Sequence, residues 1–162
     1  MNKAAADFYR LVVHPLKFRF FLLAKLPAAL LAGVKVREAN SERCVASVPY
    51  KWLSRNPFRS TYFACLSMAG EMSTGVLAMG CLYKRKPAVS MLVVKVESEY
   101  FKKATGRTYF TCEDGALFEK AVEEAIATGA ATSVRARSEG KNKAGDTVAV
   151  FYITWSFKAK PN

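Results

Sequence analysis

One nearly uncharged stretch in the middle of the chain constrains the fold more than any other feature. From Ser60 to Tyr83 there are 24 residues and a single charged side chain, Glu71. A helix on a protein surface would carry charges around about half of its circumference, so this run predicts a helix that is buried on most sides. Asn56 and Pro57 suit an N-cap and a first turn, which predicts a helix start there or a few residues later, at Ser60 or Thr61.

Small residues occupy much of this predicted helix. A glycine inside a helix costs about 1 kcal/mol relative to alanine, so helix propensity does not explain them. Close packing does, and we expect a curved sheet that wraps tightly around the helix. The small residues are Ala64, Cys65, Ser67, Ala69, Gly70, Ser73, Gly75, Ala78 and Gly80.

A lone carboxylate in such a helix needs a reason. Ser67 and Thr74 share the helix face of Glu71, at spacings of four and three residues. One interpretation places Glu71 at a helix end or an interface, in a salt bridge with Arg or Lys. A transmembrane span is a second, on length alone, although the acid, the glycines and the hydroxyl residues argue against it. The third interpretation is a functional carboxylate.

Composition bounds the remaining possibilities. With 162 residues and 51% apolar side chains, the chain is long enough for one domain with a real core. Its net charge of +12 predicts affinity for phosphates, nucleic acid or anionic membranes. The four cysteines form no CxxC pair and fit reduced thiols in a cytoplasmic protein. His14 is the only histidine, so we expect neither a zinc site nor a Ser-His-Asp triad.

Residues 1–33 are basic and apolar. Pro27 and Gly33 predict two short helices that meet near the proline and end at the glycine, forming an N-terminal extension packed on a domain of residues 34–162. A membrane-surface helix is the alternative, with Phe and Leu in the lipid and the basic residues at the headgroups. The residues expected to pack are Phe18, Phe21, Leu22 and Leu26; Lys17, Arg19 and Lys25 stay in water.

The rest of the chain predicts six strands and one further helix. In the third strand, alternation predicts a buried face formed by Leu92, Val94 and Val96. Because only wrapping strands can bury the central helix on most sides, we expect an α+β fold with a curved antiparallel sheet of about six strands around it. The predicted strands are 34–39, 44–50, 89–101, 108–112, 132–138 and 147–157, with a peripheral helix over 114–128.

This layout resembles the hotdog fold of the thioesterase superfamily. The segments that carry the resemblance are LKFRFFLLAKLPAALLAGVKV, NPFRSTYFACLSMAGEMSTG and VESEYFKKATG. The chain is similar in layout to phenylacetate-type thioesterases and looks like a bacterial branch known as a domain of unknown function. The resemblance implies hydrolysis of acyl-coenzyme A thioesters by a homodimer, or a tetramer, with sites at the dimer interface.

The resemblance also implies site residues. In such thioesterases an acid on the central helix is the general base or nucleophile, and Glu71 occupies that place. A His-Gly pair usually precedes the acid, whereas here Tyr62 and Phe63 stand there. A backbone N–H of Phe63 or Ala64 would then polarise the carbonyl group. Further expected site residues are Asn56 as a side-chain donor, and Ser67 or Thr74 to position the water; no cofactor is expected beyond the coenzyme A of the substrate.

Basic clusters are candidates for the coenzyme phosphates or for plain solvated surface. They contain Lys102, Lys103 and Arg107 in one turn, and Arg135 and Arg137 near another. A hotdog dehydratase would need a histidine beside the acid, which this chain lacks. A non-catalytic acyl-coenzyme A or lipid-binding module is the main alternative. Nucleic-acid binding has only the net charge in its favour, without a recognition motif, and is not expected.

Overall fold

A computed structural model describes residues 3–160 of the chain. A 3₁₀ turn at Trp52–Ser54 precedes the central helix α4. The helices are α1 (Lys3–Val13), α2 (Pro15–Lys25), α3 (Pro27–Ala32), α4 (Phe63–Leu82) and α5 (Gly115–Thr128). The strands are β1 (Lys35–Ala39), β2 (Cys44–Val48), β3 (Val89–Tyr100), β4 (Thr108–Cys112), β5 (Thr132–Lys141) and β6 (Thr147–Ala159).

The six strands form one antiparallel sheet in the order β1-β2-β4-β5-β6-β3. The sheet packs against α4 through β1, β2, β4, β5 and β6, while α1, α3 and α5 cover other sides of the same helix. The predicted α+β architecture, a six-stranded sheet around a long central helix, is confirmed.

Close packing explains the small residues of α4, as predicted. A Cβ atom on Gly70 would lie 3.1 Å from a ring carbon of Phe151 on β6. The Ser73 hydroxyl lies 2.7 Å from the Ser138 hydroxyl, so the polar groups of this interface satisfy each other. Within residues 3–160, α4 is the one helix long and apolar enough to cross a membrane, and 67% of its most apolar window is buried inside the protein.

The central helix begins at Phe63, later than predicted. Asn56 does not cap it, because the Asn56 side-chain oxygen accepts hydrogen bonds from the backbone N–H groups of Phe58 and Ser60, at 3.0 and 3.2 Å. These bonds shape a turn ahead of the helix. Tyr62, which is extended, takes the N-cap position without a side-chain cap.

The predicted buried face of β3 is wrong. Leu92, Val94 and Val96 are 65%, 54% and 49% exposed. The reason is tertiary: β3 is an edge of the sheet, paired only with β6, and a bulge between Val93 and Lys95 interrupts its alternation. The partly buried apolar residues of the strand are Val89, Met91 and Val93.

The N-terminal segment forms three helices rather than two. The additional break falls at His14, because Pro15 has no backbone N–H and disfavours a helical conformation in the residue before it. Leu26 links α2 to α3 and is 43% exposed, so its predicted packing is wrong. Gly33 ends α3 in the left-handed region, with φ 84°, as the sequence predicts. Phe18 and Leu22 are buried and Phe21 is partly buried.

Helix α1 is docked against the end of α4. A Cβ atom on Gly80 would lie 2.1 Å from the Tyr9 hydroxyl oxygen, so the two helices can only approach this closely with glycine there. Phe8 and Val12 are buried on the same helix. The N-terminal helices therefore cover one side of α4.

From α5 onward, the order of helix and strands follows the prediction. Helix α5 buries Phe118, Val122 and Ala125, and alternate residues of β6 from Phe151 to Phe157 are buried. Asp114 holds the N-cap position of α5, but its carboxylate accepts the backbone N–H of Arg137 at 2.6 Å instead of capping the helix.

Candidate functional site

Glu71 lies in the middle of α4, on the side that the sheet leaves to the N-terminal helices. It lines a small, partly open cavity of about 70 Å³, which we call the Glu71 cavity. Its walls include Phe18 and Phe21 of α2, Met91 of β3 and Trp155 of β6. These walls are almost wholly apolar, and burial raises the pKa of the Glu71 carboxyl.

The Glu71 carboxylate has no ion pair or hydrogen bond to any of residues 3–160, and desolvation is the sole cause of its raised pKa. A salt-bridged structural role therefore has no support among the residues that the structure describes. Glu71 is partly buried, and a partly desolvated carboxylate without a partner costs folding free energy, which favours a functional role for it.

Gly75 makes room for this carboxylate. A Cβ atom at position 75 would lie 3.1 Å from Oε1 of Glu71 and 3.3 Å from a ring carbon of Trp155. The Glu71 carboxylate thus lies alongside its own helix and beside the Trp155 indole ring. A residue larger than glycine at position 75 would narrow the space around the carboxylate. Sequence analysis missed Trp155 as a neighbour of Glu71, because no local pattern pairs α4 with the last strand.

The two hydroxyl residues near Glu71 differ. Thr74 is fully buried, and its hydroxyl donates to the Glu71 carbonyl oxygen at 3.0 Å and accepts from Trp155 Nε1 at 2.9 Å. This hydroxyl is therefore engaged in holding the indole ring. Ser67, one turn before Glu71, is only partly buried and makes no side-chain hydrogen bond among residues 3–160.

The first turn of α4 borders a second cavity. This N-terminal cavity is open, has a volume of about 720 Å³, and is lined by residues of two loops, 55–63 and 100–104, and by Leu66. The rings of Tyr62 and Phe63 pack edge to face with centroids 4.9 Å apart and are 45% and 56% exposed. Apolar walls of this kind suit an apolar ligand.

The first turn of α4 carries backbone N–H groups without an acceptor in the described part of the chain. Among residues 3–160, no acceptor takes the backbone N–H of Phe63 or Ala64, whereas those of Cys65 and Leu66 bond to the Tyr62 carbonyl oxygen. Unpaired amides and the positive end of the helix dipole favour negative charge at this point. Asn56 also lines the cavity, and its side-chain oxygen is committed to the preceding turn.

The acid and these donors do not meet in one chain. Glu71 follows Phe63 by eight residues, which is about 12 Å along a helix axis. Each lines a cavity that the other does not. A carbonyl group bound at the unpaired amides therefore lies too far from the Glu71 of the same chain for proton transfer.

The basic candidates are divided as well. Lys102 and Lys103 line the N-terminal cavity, and Lys102 also pairs with Asp146 at 2.6 Å. Arg55 lines the same cavity and was missed by the sequence analysis. It directly precedes Asn56, the first residue of the segment NPFRSTYFACLSMAGEMSTG that carries the resemblance. The remaining candidates do not line this cavity: Arg107 contacts Ser47 at 3.5 Å, Arg135 pairs with Glu97 at 3.0 Å, and Arg137 pairs with Glu139 at 3.2 Å.

No group of three or more His, Cys, Asp and Glu side chains within the described residues is arranged to hold a metal ion. All four cysteines are free thiols; Cys44, Cys65 and Cys112 are buried, and Cys81 is partly buried.

Solved structures with the same fold include three instructive cases. A protein of unknown function from Pseudomonas aeruginosa, described as a probable thioesterase, is 14% identical with a TM-score of 0.76, over 90% of this chain and 97% of that chain. A protein of unknown function from Chlorobaculum tepidum is 13% identical with a TM-score of 0.75, over 92% and 99%. A thioesterase from Haemophilus influenzae is 9% identical with a TM-score of 0.61, over 85% and 86%.

These likenesses establish the hotdog fold, in a form that resembles thioesterases. A search of curated protein sequences finds no significant match. A family model matches residues 16–157, which is most of the chain. The protein therefore belongs to the family described as Domain of unknown function (DUF4442).

Proposed function

We propose that this protein hydrolyses acyl-coenzyme A thioesters, with Glu71 as the general base or nucleophile. The observation that carries the proposal is the unpaired, desolvated carboxylate of Glu71 in the central helix of a thioesterase-like fold. A carboxyl group with a raised pKa is a better base near neutral pH than an ordinary glutamate, since the best catalytic pKa lies near the working pH.

In the general-base form, Glu71 accepts a proton from water as the water oxygen attacks the thioester carbonyl carbon. The backbone N–H of Phe63 or Ala64 stabilises the negative charge that develops on the carbonyl oxygen. The carbon–sulfur bond then breaks, and the proton passes from Glu71 to the leaving thiolate. The products are a carboxylic acid and coenzyme A, and no metal or redox partner is consumed.

The 12 Å separation supports a site built from two chains, with Glu71 of one copy and the amides of the other. The exposed edge of β3 suits such a homodimer, because its unpaired backbone groups and its apolar Leu92, Val94 and Val96 can pair with a second β3 strand. A monomeric mass in light scattering at micromolar concentrations would contradict this arrangement.

Cations would receive the phosphates of the coenzyme. Arg55, Lys102 and Lys103 at the N-terminal cavity are the best placed in the folded chain. Arg107, Arg135 and Arg137 are weaker candidates, since the two latter side chains are already paired with glutamates. Asn56 and Ser67 are polar groups near the proposed path of the substrate, whereas Thr74 supports it indirectly through Trp155. We place the reaction in the cytoplasm.

A non-catalytic acyl-coenzyme A or lipid-binding module is the second candidate. The observation in its favour is the Phe63 side chain, which stands beside the unpaired amides where related thioesterases are expected to carry glycine. Bulk at this point would favour binding of an acyl or aryl group over entry of water.

The test is hydrolysis of a panel of short, long and aromatic acyl-coenzyme A thioesters by the native protein and by Glu71→Gln. The variant should lose about 10²–10⁴-fold in kcat/KM, which is the typical contribution of general acid–base catalysis to the rate. Glu119→Gln is the matched control, since Glu119 is exposed on α5, and it should keep native activity. Tight binding of the thioesters without turnover by the native protein would assign the non-catalytic module instead.

A further inference from the structure

Helices α2 and α3 present apolar side chains to solvent. Leu16, Phe20 and Leu23 on α2 are 62%, 71% and 60% exposed, and Leu31 on α3 is 58% exposed. On α2 they follow a spacing of four and three residues, which places them in one stripe along the helix. We call these four residues the outer face.

The outer face is not needed to hold α2 in place. The opposite side of the helix buries Phe18 and Leu22 in the core and places Phe21 against the Glu71 cavity. Helix α2 is therefore apolar on two sides, one packed and one exposed. Large side chains gathered on an exposed surface mark an interaction site more often than chance.

The unpaired cations of helix α2 indicate the partner of the outer face. Lys17, Arg19 and Lys25 are exposed and make no ion pair within residues 3–160. Some lysines and arginines elsewhere pair with acids, for example Arg135 with Glu97, whereas others, such as Lys120, make no ion pair within residues 3–160. The sole acid of helices α1–α3 is Asp7, on α1, so this part of the surface is strongly positive.

We propose that the outer face docks on the surface of an anionic membrane. The leucines and Phe20 would enter the boundary between headgroups and acyl chains, while Lys17 and Arg19 beside the stripe contact lipid phosphates and Lys25 at the end of the helix adds positive charge. A second copy of the chain fits less well, because symmetric contact would bring these cations against their own equivalents. A nucleic acid would leave the apolar centre of the surface without a partner.

The experiment is co-flotation of the full-length protein with vesicles of phosphatidylcholine alone or mixed with phosphatidylglycerol. We expect binding to the mixed vesicles and little to the neutral ones. The double substitution Phe20→Ser, Leu23→Ser should weaken this binding by at least about ten-fold, through lost apolar burial. The triple substitution Lys17→Gln, Arg19→Gln, Lys25→Gln should weaken it by about five-fold for each charge removed.

Matched variants test whether position matters. Leu117→Ser removes a leucine that is 49% exposed on α5, and a triple Lys→Gln change at exposed Lys120, Lys143 and Lys158 removes the same net charge elsewhere. Both should bind vesicles much as the native protein does. Because all substituted residues are exposed, thermal unfolding should be nearly unchanged in every variant.

Three results would overturn the proposal. The first is absence of native binding to the mixed vesicles. The second is an equal loss in the outer-face and control charge variants, which would mean that net charge alone attracts the protein. The third is a smaller mass of the Phe20→Ser, Leu23→Ser variant in light scattering with vesicle binding intact, which would assign the outer face to a second copy.

Discussion

The two cavities beside α4 differ in ways that bear on the proposed chemistry. The N-terminal cavity is open, bordered by Arg55, Lys102 and Lys103, and faces unpaired backbone amides. The Glu71 cavity is smaller, narrower and apolar, and holds one carboxylate without a partner. One region is thus built to receive negative charge and the other to raise the proton affinity of an acid. Their separation along one helix suggests that a working site combines the two from different chains.

Removal of one backbone donor tests this comparison most severely. Phe63→Pro eliminates the N–H at the first position of α4, where proline is well tolerated and where the extended Tyr62 is a suitable predecessor. We expect a loss of about 10²–10³-fold in kcat/KM, the usual effect of deleting one donor to a developing oxyanion. Phe63→Ala keeps the N–H and is the control. Equal losses in both variants would point to the Phe63 ring instead.

Mixing two inactive variants sharpens the comparison further. In a heterodimer of Glu71→Gln and Phe63→Pro, one two-chain site carries both defects and the other carries neither. Random exchange of subunits should restore activity to about a quarter of the native value, because half of the dimers are mixed and each has one intact site. A site contained within one chain would show no recovery, as followed by release of free coenzyme A.

A smaller effect is expected at the glycine that faces the acid. Gly75→Ala places a methyl group 3.1 Å from Oε1 of Glu71, so the carboxylate or the Trp155 ring must shift. We expect about a ten-fold fall in kcat, since misplacement of a reacting group by a fraction of an ångström is costly.

Gly70→Ala is the matched control on the same helix. Its methyl group would lie 3.1 Å from Phe151, away from the acid. It should alter the thermal midpoint to a similar extent but leave kcat nearly native. A parallel loss of activity in both glycine variants would mean that general packing of α4, rather than the position of Glu71, is being measured.

The smallest effect concerns stability and its pH dependence. Because burial raises the folded-state pKa of Glu71, the folded protein loses stability as pH rises from the ordinary glutamate pKa through the raised one, and the loss is constant above it. Glu71→Gln should therefore be more stable than the native protein at neutral pH, by on the order of 1 kcal/mol. Its advantage should vanish in acid.

Urea unfolding from acid to neutral pH measures this difference. Native hydrolysis should decline as pH falls through the raised pKa, since only the ionised carboxylate accepts a proton. A Glu71→Gln variant that is less stable at neutral pH would indicate that the carboxylate has a favourable partner in the assembled protein.

Local patterns predicted much of this molecule. The small residues and the single charge of α4 predicted a tightly wrapped helix, and the predicted strand over 147–157 corresponds to β6. Alternation misled in β3, because the same pattern of Leu92, Val94 and Val96 arises in a strand whose apolar face is left open at the edge of a sheet. Asn56 misled for a related reason, since a good capping residue is also a good turn residue.

The sequence by itself determined the helical or extended period of the main elements and the apolar character of α4, and with them the choice of six strands around one helix. Tertiary structure alone decided that Glu71 lies against Trp155 and α2, that Phe63 lines a different cavity, and that one stripe of α2 faces water. The physical reason is that propensity and periodicity act over a few residues. Burial, desolvation and exposure depend on which distant segments the sheet brings together.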